Sequence, residues 1–238
     1  MKTLHSLSSF VSVFENASKG KEAFRTFDDF LTLCMYHVTK DPHTDGMYYE
    51  NDFARISEAY KQSGTYDDLI RLPSIFFRLV LDRILLPDMI GEFYMTAITP
   101  ETNKTILSPF PLCLEMTQLF SNDADGALCI LDTSVGTGRM LLAFEQNSRE
   151  GYSYYGIDTT PLLVKLAAVN MFMHNLNGEV VCAQDSGLEN FSIGYRINHH
   201  PDHDDPKGIF KFEDKEESEI LFLRDFLKEQ PKKRLFFY

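Results

Sequence analysis

The sequence predicts an α/β chain in which an N-terminal helical region, residues 1–105, precedes a core of alternating strands and helices, residues 106–238. Apolar residues recur at three- and four-residue spacing up to about residue 105. From about residue 128 short apolar runs end in turns and give way to helical periodicity, and this unit occurs twice in succession. With 44% hydrophobic residues, 20 Phe, 13 Gly and 10 Pro in 238 positions, the chain can bury a core. Disordered, collagen-like and small disulfide-held classes are excluded.

In the first region Phe27, Phe30, Leu31 and Cys34 form one apolar stripe, and Ile75, Phe76, Leu79, Val80 and Ile84 another. Breaks at Asp41-Pro42, Gln62-Ser63-Gly64 and Leu86-Pro87-Asp88 divide the region into three to five helices. In the second region Leu128-Cys129-Ile130-Leu131 reads as a strand, followed by a glycine-rich turn and a helix over 139–146. Tyr152 to Ile157 is a second strand ending at Asp158, Pro161 opens a helix to about Asn175, and Glu179 to Ala183 is a third strand ending near Asp185. Strands over 191–198 and 209–212 flank a polar loop, a helix follows over 216–229, and a last strand spans 234–238. The alternation predicts a parallel, doubly wound sheet.

The balance of 23 basic and 35 acidic residues, net charge −12, gives no general attraction for nucleic acid. A polyanion would have to meet a local basic patch or a second protein. Cys34, Cys113, Cys129 and Cys182 stand singly within apolar stretches, as buried free thiols do, which points to the reducing cytoplasm. Serines at 6, 8, 9 and 12 and Glu15 interrupt the apolar run that a signal peptide would need after Lys2. No stretch approaches the roughly 18 apolar residues of a membrane span, so no membrane partner is expected. His199, His200, Asp202, His203, Asp204 and Asp205 lack the spacing of a zinc motif and read as a solvated loop, and no metal is expected.

The informative segment is Asp132-Thr133-Ser134-Val135-Gly136-Thr137-Gly138-Arg139. Glycines where a strand becomes a helix let a ligand approach the backbone, and a helix N-terminus offers free N–H groups. No Gly-Lys-Ser/Thr follows, which excludes a Walker loop, and Leu141 occupies the third glycine of a dinucleotide fingerprint. Asp132 is placed to meet a cationic ligand group, Asp158 to accept from ribose hydroxyls, and Asp185 to receive an adenine amino group. Strand-end aspartates also cap the turns that follow them, so each is open to either reading taken singly.

The segment 131–141 resembles the S-adenosylmethionine motif of N6-adenine DNA methyltransferases, most of all the modification subunits of type I restriction systems, whose pattern is D-P-A-C-G-T-G-G-M-L. Thr133, Ser134, Val135 and Arg139 depart from it. The stretches Tyr155-Gly156-Ile157-Asp158-Thr159-Thr160-Pro161 and Ala167-Ala168-Val169-Asn170 are similar to the family's second motif, and Asp185-Ser186 to its third. Upstream, Asp88 to Met95 resembles the helix before the cofactor arm, and Leu107-Ser108-Pro109-Phe110 the arm itself, with Ser108 in place of Thr.

The resemblance covers about residues 75–186 and implies a Rossmann-like class I methyltransferase core, ending short of a full sheet, that binds S-adenosyl-L-methionine. It implies cofactor contacts from Ser108, Pro109, Asp132, Thr133, Ser134, Gly136, Thr137, Gly138, Asp158, Thr159, Asp185 and Ser186. The implied activity is methyl transfer to adenine N6 in DNA, with a non-catalytic cofactor-binding subunit or regulator as the alternative. The family's Asn/Asp-Pro-Pro-Tyr/Phe loop has no match, since the chain contains no Pro-Pro. Asp205 and Pro206, followed by Lys207, are the nearest substitute and the candidate catalytic residues. DNA binding by the chain alone is expected to be weak, and the N-terminal helices are the expected surface for a partner protein.

Overall fold

Five phenylalanines from three chain segments close the core of the first of two units, Met1–Thr105, in the computed structural model. The residues described are 7–44, 46–81, 88–99, 107–120, 129–147, 152–199, 207–229 and 236–237. Helices α1 (Leu7–Ala17), α2 (Ala23–Val38), α3 (Glu50–Ser63) and α4 (Tyr66–Leu81) precede a short α5 (Met89–Phe93), which runs into a π-helical turn over Tyr94–Ile98. Phe93 meets Phe10 and Phe14 at centroid distances of 5.1 and 4.9 Å, both edge to face, the favoured geometry for ring quadrupoles. The sequence break at residue 64 is a helix C-cap: Gly64 takes φ +71°, a conformation that costs glycine little. Of the break at 86–88 only Asp88 is described, and its carboxylate caps α5 by accepting the Gly91 N–H at 2.8 Å.

The second unit, Ile106–Tyr238, holds one six-stranded sheet in the order β5-β4-β3-β2-β1-β6. Its strands are β1 (Cys129–Asp132), β2 (Ser153–Asp158), β3 (Asn177–Cys182), β4 (Ile193–Ile197), β5 (Ile209–Phe212) and β6 (Phe236–Phe237). Helix α6 (Phe110–Phe120) precedes β1, α7 (Arg139–Asn147) links β1 to β2, and α8 (Pro161–Met173) links β2 to β3. After β5, a 3₁₀ turn over Lys215–Glu217 leads into α9 (Glu219–Glu229).

The sheet is mixed, which corrects the expected all-parallel arrangement: β1 pairs in parallel with β2 and β6, and β2 with β3, whereas β3–β4 and β4–β5 are antiparallel. The reason is connection length. A parallel return needs a crossover of about a dozen residues or more. Residues 183–192 and 198–208 are too few for one, so the chain turns straight back.

Two adjacent tyrosines mark the two faces of the sheet, because successive strand side chains point to opposite sides. Tyr154 donates to Glu145 on α7 at 2.6 Å, and Tyr155 donates to Glu219 at the start of α9 at 2.7 Å. On the Tyr155 face Leu131, Ile157, Val181 and Phe212 pack with Ile220 of α9. Helix α8 is apolar on nearly every side, as a helix enclosed by protein must be. All four cysteines are buried and free. Among the described residues no helix is long and apolar enough to cross a membrane.

Candidate functional site at the carboxyl edge of the sheet

Strands β1, β2 and β3 run side by side in one direction, so Asp132, Asp158 and Asp185 all fall at their carboxyl edge. Two strand spacings of about 4.8 Å put the β1 and β3 ends about 10 Å apart. Each aspartate first does the same local job. Asp132 accepts the Ser134 N–H at 2.9 Å, Asp158 the Thr160 N–H at 2.8 Å, and Asp185 the Gly187 N–H at 2.8 Å, always two residues on. These are Asx turns, which fold the chain away from each strand end.

Asp158 does more. Its second oxygen accepts the Gly136 N–H at 3.0 Å, tying the end of β2 to the glycine turn after β1. That turn is also held by the Val135 N–H on Ile157 O at 2.9 Å and by Asn170 of α8, whose side chain donates to Thr137 O at 2.8 Å. Gly136 and Gly138 have φ of +53° and +89°, where a side chain is strained. A Cβ on Gly138 would lie 3.7 Å from Ala167 of α8, an ordinary contact, so it is the positive φ that calls for glycine there.

The candidate residues differ in exposure. Ser108, Pro109, Thr133, Ser134, Thr159 and Asp185 are exposed, Asp158 and Ser186 half-buried, and Asp132, Gly136, Thr137 and Gly138 buried. Burial pushes the Asp132 carboxyl up to about 6; the Ser134 N–H opposes that rise and the Asp158 charge adds to it. A carboxyl poised in this way gains from a nearby cation, which would ionise it. The segment Leu107–Pro109 joins the same turn: a Cβ on Gly136 would come within 2.9 Å of Leu107 Cδ2, and Arg139 donates from Nη1 to Ser108 O at 3.1 Å. Sequence reasoning missed the parts played by Asn170 and Arg139. The helical spacing of Asn170 within an otherwise apolar α8 was the available signal, since a buried amide needs a partner.

Asp205 and Pro206 lie outside the described residues, as do His200, Asp202, His203 and Asp204. Their described flanks, Asn198 and Gly208, follow β4 and precede β5 at the edge where β3 begins, because Ile197 pairs with Gly178 and Ile209. That edge is opposite the glycine turn. His199 pairs with Glu219 at 3.0 Å. The neighbour of β1 on its other side is β6, which makes the carboxyl ends of β1 and β6 the switch point at which open α/β sheets bind ligands.

Residues 88–194 match the family model for N-6 DNA methylase. No curated protein matches the chain. Among solved structures, a protein described as a class I S-adenosylmethionine-dependent methyltransferase from Listeria monocytogenes is 11% identical, with a TM-score of 0.40, covering 74% of this chain and 53% of that one. The methyltransferase subunit of a type I restriction-modification system from Streptococcus thermophilus is 21% identical, with a TM-score of 0.34, covering 53% of this chain and 32% of that one. The chain thus spans about half and about a third of the lengths of these two proteins. Residues 88–194, which include the glycine turn and all three strand-end aspartates, are thus similar to the N-6 DNA methylase family.

Proposed function

We propose that the crevice at the carboxyl ends of β1, β2 and β3 binds S-adenosyl-L-methionine and that the chain serves methylation of adenine N6 in DNA. The observation that carries the reading is the Asp158 bridge, which uses one oxygen on Thr160 and one on Gly136. An ionised carboxylate has about four acceptor positions, so Asp158 retains capacity for ribose hydroxyls while it shapes the turn. Buried Asp132 suits the cationic part of the cofactor, and Asp185, at the end of β3, suits an adenine amino group. Ser108, Pro109, Thr133, Ser134, Thr159 and Ser186 form the rim, while Gly136, Thr137 and Gly138 form the floor. When bound, the cofactor supplies an electrophilic methyl group.

Calorimetry with S-adenosyl-L-methionine and its demethylated product tests the site. Saturable binding by the purified protein supports it, and no heat with no thermal shift at millimolar ligand overturns it.

A second reading, a cofactor-binding chain that methylates only with a partner, is favoured by one observation. The candidate pair Asp205-Pro206 is flanked by residues at the edge of the sheet opposite the glycine turn. An adenine amine is a weak nucleophile, and losing one preorganised acceptor typically costs about 10²–10³ in rate. The chain alone is therefore expected to methylate DNA slowly or not at all, and to bind duplex DNA no better than the non-specific range of about 10⁻⁴–10⁻⁶ M. The helices of the first unit are the proposed surface for such a partner. Methylation that appears only on adding a second protein supports this reading. Robust N6-methyladenine formation by the chain alone, abolished by Asp205→Ala, overturns it.

A further inference from the structure

We infer that Arg139 is a positioning residue that locks the Leu107–Pro109 arm onto the glycine turn and so fixes one wall of the cofactor crevice; the inference rests on the S-adenosyl-L-methionine reading above. Arg139 breaks two local rules. It opens α7, where the helix dipole disfavours a cation, and its guanidinium is buried, with the residue only 6% exposed. It is also a position at which the sequence departs from the pattern it resembles, where glycine stands. A rule broken at a turn that shapes a ligand crevice calls for a local use.

The use is visible in the contacts. Nη1 of Arg139 donates to Ser108 O at 3.1 Å, and the same carbonyl faces the Cys113 thiol at 3.8 Å. The arm's carbonyl is thereby held while Ser108 and Pro109 remain exposed. Leu107, just before them, rests on Gly136, the residue whose N–H Asp158 holds from β2. The turn is therefore gripped by β2 through Asp158 and capped by the arm through Leu107, with Arg139 linking arm and helix.

Docking of α6 on α7 does not depend on this link. At the far end of α7, Asn147 donates to Leu114 O at 3.0 Å and to Thr117 Oγ1 at 2.7 Å. Eight residues of helix, about 12 Å, separate the two clamps. Asn147 secures the helix pair, and Arg139 secures the arm where it meets the site. In the reading above the nucleoside lies toward β2 and β3, so the arm meets the methionine end of the cofactor.

The test compares Arg139→Met, Arg139→Lys and Asn147→Ala in the full chain, by hydrogen exchange without ligand and by calorimetry with S-adenosyl-L-methionine and with adenosine. Arg139→Met should speed exchange at Cys113, whose N–H donates to Pro109 O, by about tenfold or more while α7 amides keep their protection. It should weaken S-adenosyl-L-methionine by about tenfold or more, leave adenosine unchanged, and be largely rescued by Arg139→Lys. Asn147→Ala should lower the melting temperature without changing the ratio of the two affinities. Unchanged exchange at Cys113, or equal losses for both ligands, would overturn the inference. If the wild-type chain binds no S-adenosyl-L-methionine, the proposed function falls, and the exchange comparison alone decides whether Arg139 locks the arm.

Discussion

In the helical unit Phe10, Phe14, Phe27, Phe30 and Phe93 meet one another, so order comes from apolar side chains whose positions follow helical spacing. In the sheet unit the decisive contacts involve backbone groups: Gly136 N–H on Asp158, Thr137 O under Asn170, and Ser108 O under Arg139. A core of rings tolerates change that preserves volume and shape. A turn held by single hydrogen bonds does not, because each buried donor or acceptor left without its partner costs free energy. The first unit is thus ordered by ring packing, and the candidate site in the second by individual hydrogen bonds.

Removing the ring at the centre of the helical core is the largest expected effect. Phe93→Ala should destabilise the first unit by about 3–5 kcal/mol, the usual cost of emptying a buried phenylalanine site, as measured by chemical denaturation. Binding of S-adenosyl-L-methionine should be unchanged; a parallel loss of binding would show that the two units do not divide the tasks as described. Asp158→Ala should act in the opposite sense. It should weaken the cofactor by about 1.5–3 kcal/mol, read by calorimetry, while denaturation of the first unit stays as in the wild type. An affinity within twofold of the wild type would remove Asp158 from the site.

The most gradual effect is on pH dependence. Burial raises the Asp132 carboxyl to about 6 and the Glu179 carboxyl to about 7, above the range near 4 that they hold when unfolded. Between those values the folded chain binds more protons than the unfolded one, so the stability of the second unit should fall as pH rises from about 4 to 7. Each group contributes at most about 1.4 kcal/mol per pH unit. Thermal melts across that range should show the decline, and Asp132→Asn should flatten it up to about pH 6. A slope unchanged in that variant would mean that Asp132 titrates normally.

Much of the site was legible in the sequence, because its parts are local. Asp132 with Gly136 and Gly138 lies within one strand and turn, and each strand-end aspartate caps its own turn two residues away. Asp158 caps its own turn, the local reading open to every strand-end aspartate, and also bridges to the glycine segment. Asn170 and Arg139 were not legible as clamps. Their partners, Thr137 and Ser108, lie 33 and 31 residues away, and spacing does not reveal a hydrogen bond between separate elements.

The sequence by itself determined where helices and strands lie, since hydrophobic period reports local conformation, and it marked the turn at which a ligand could approach the backbone. Only the tertiary structure decided strand direction and neighbours. The reversal of β4 and β5, the place of β6 beside β1, and the separation of the Asp205-Pro206 flanks from the glycine turn all depend on pairing. The physical reason is that alternating side chains look alike in parallel and antiparallel strands. Direction is set instead by connection length and by which edges remain open for hydrogen bonding once the core has closed.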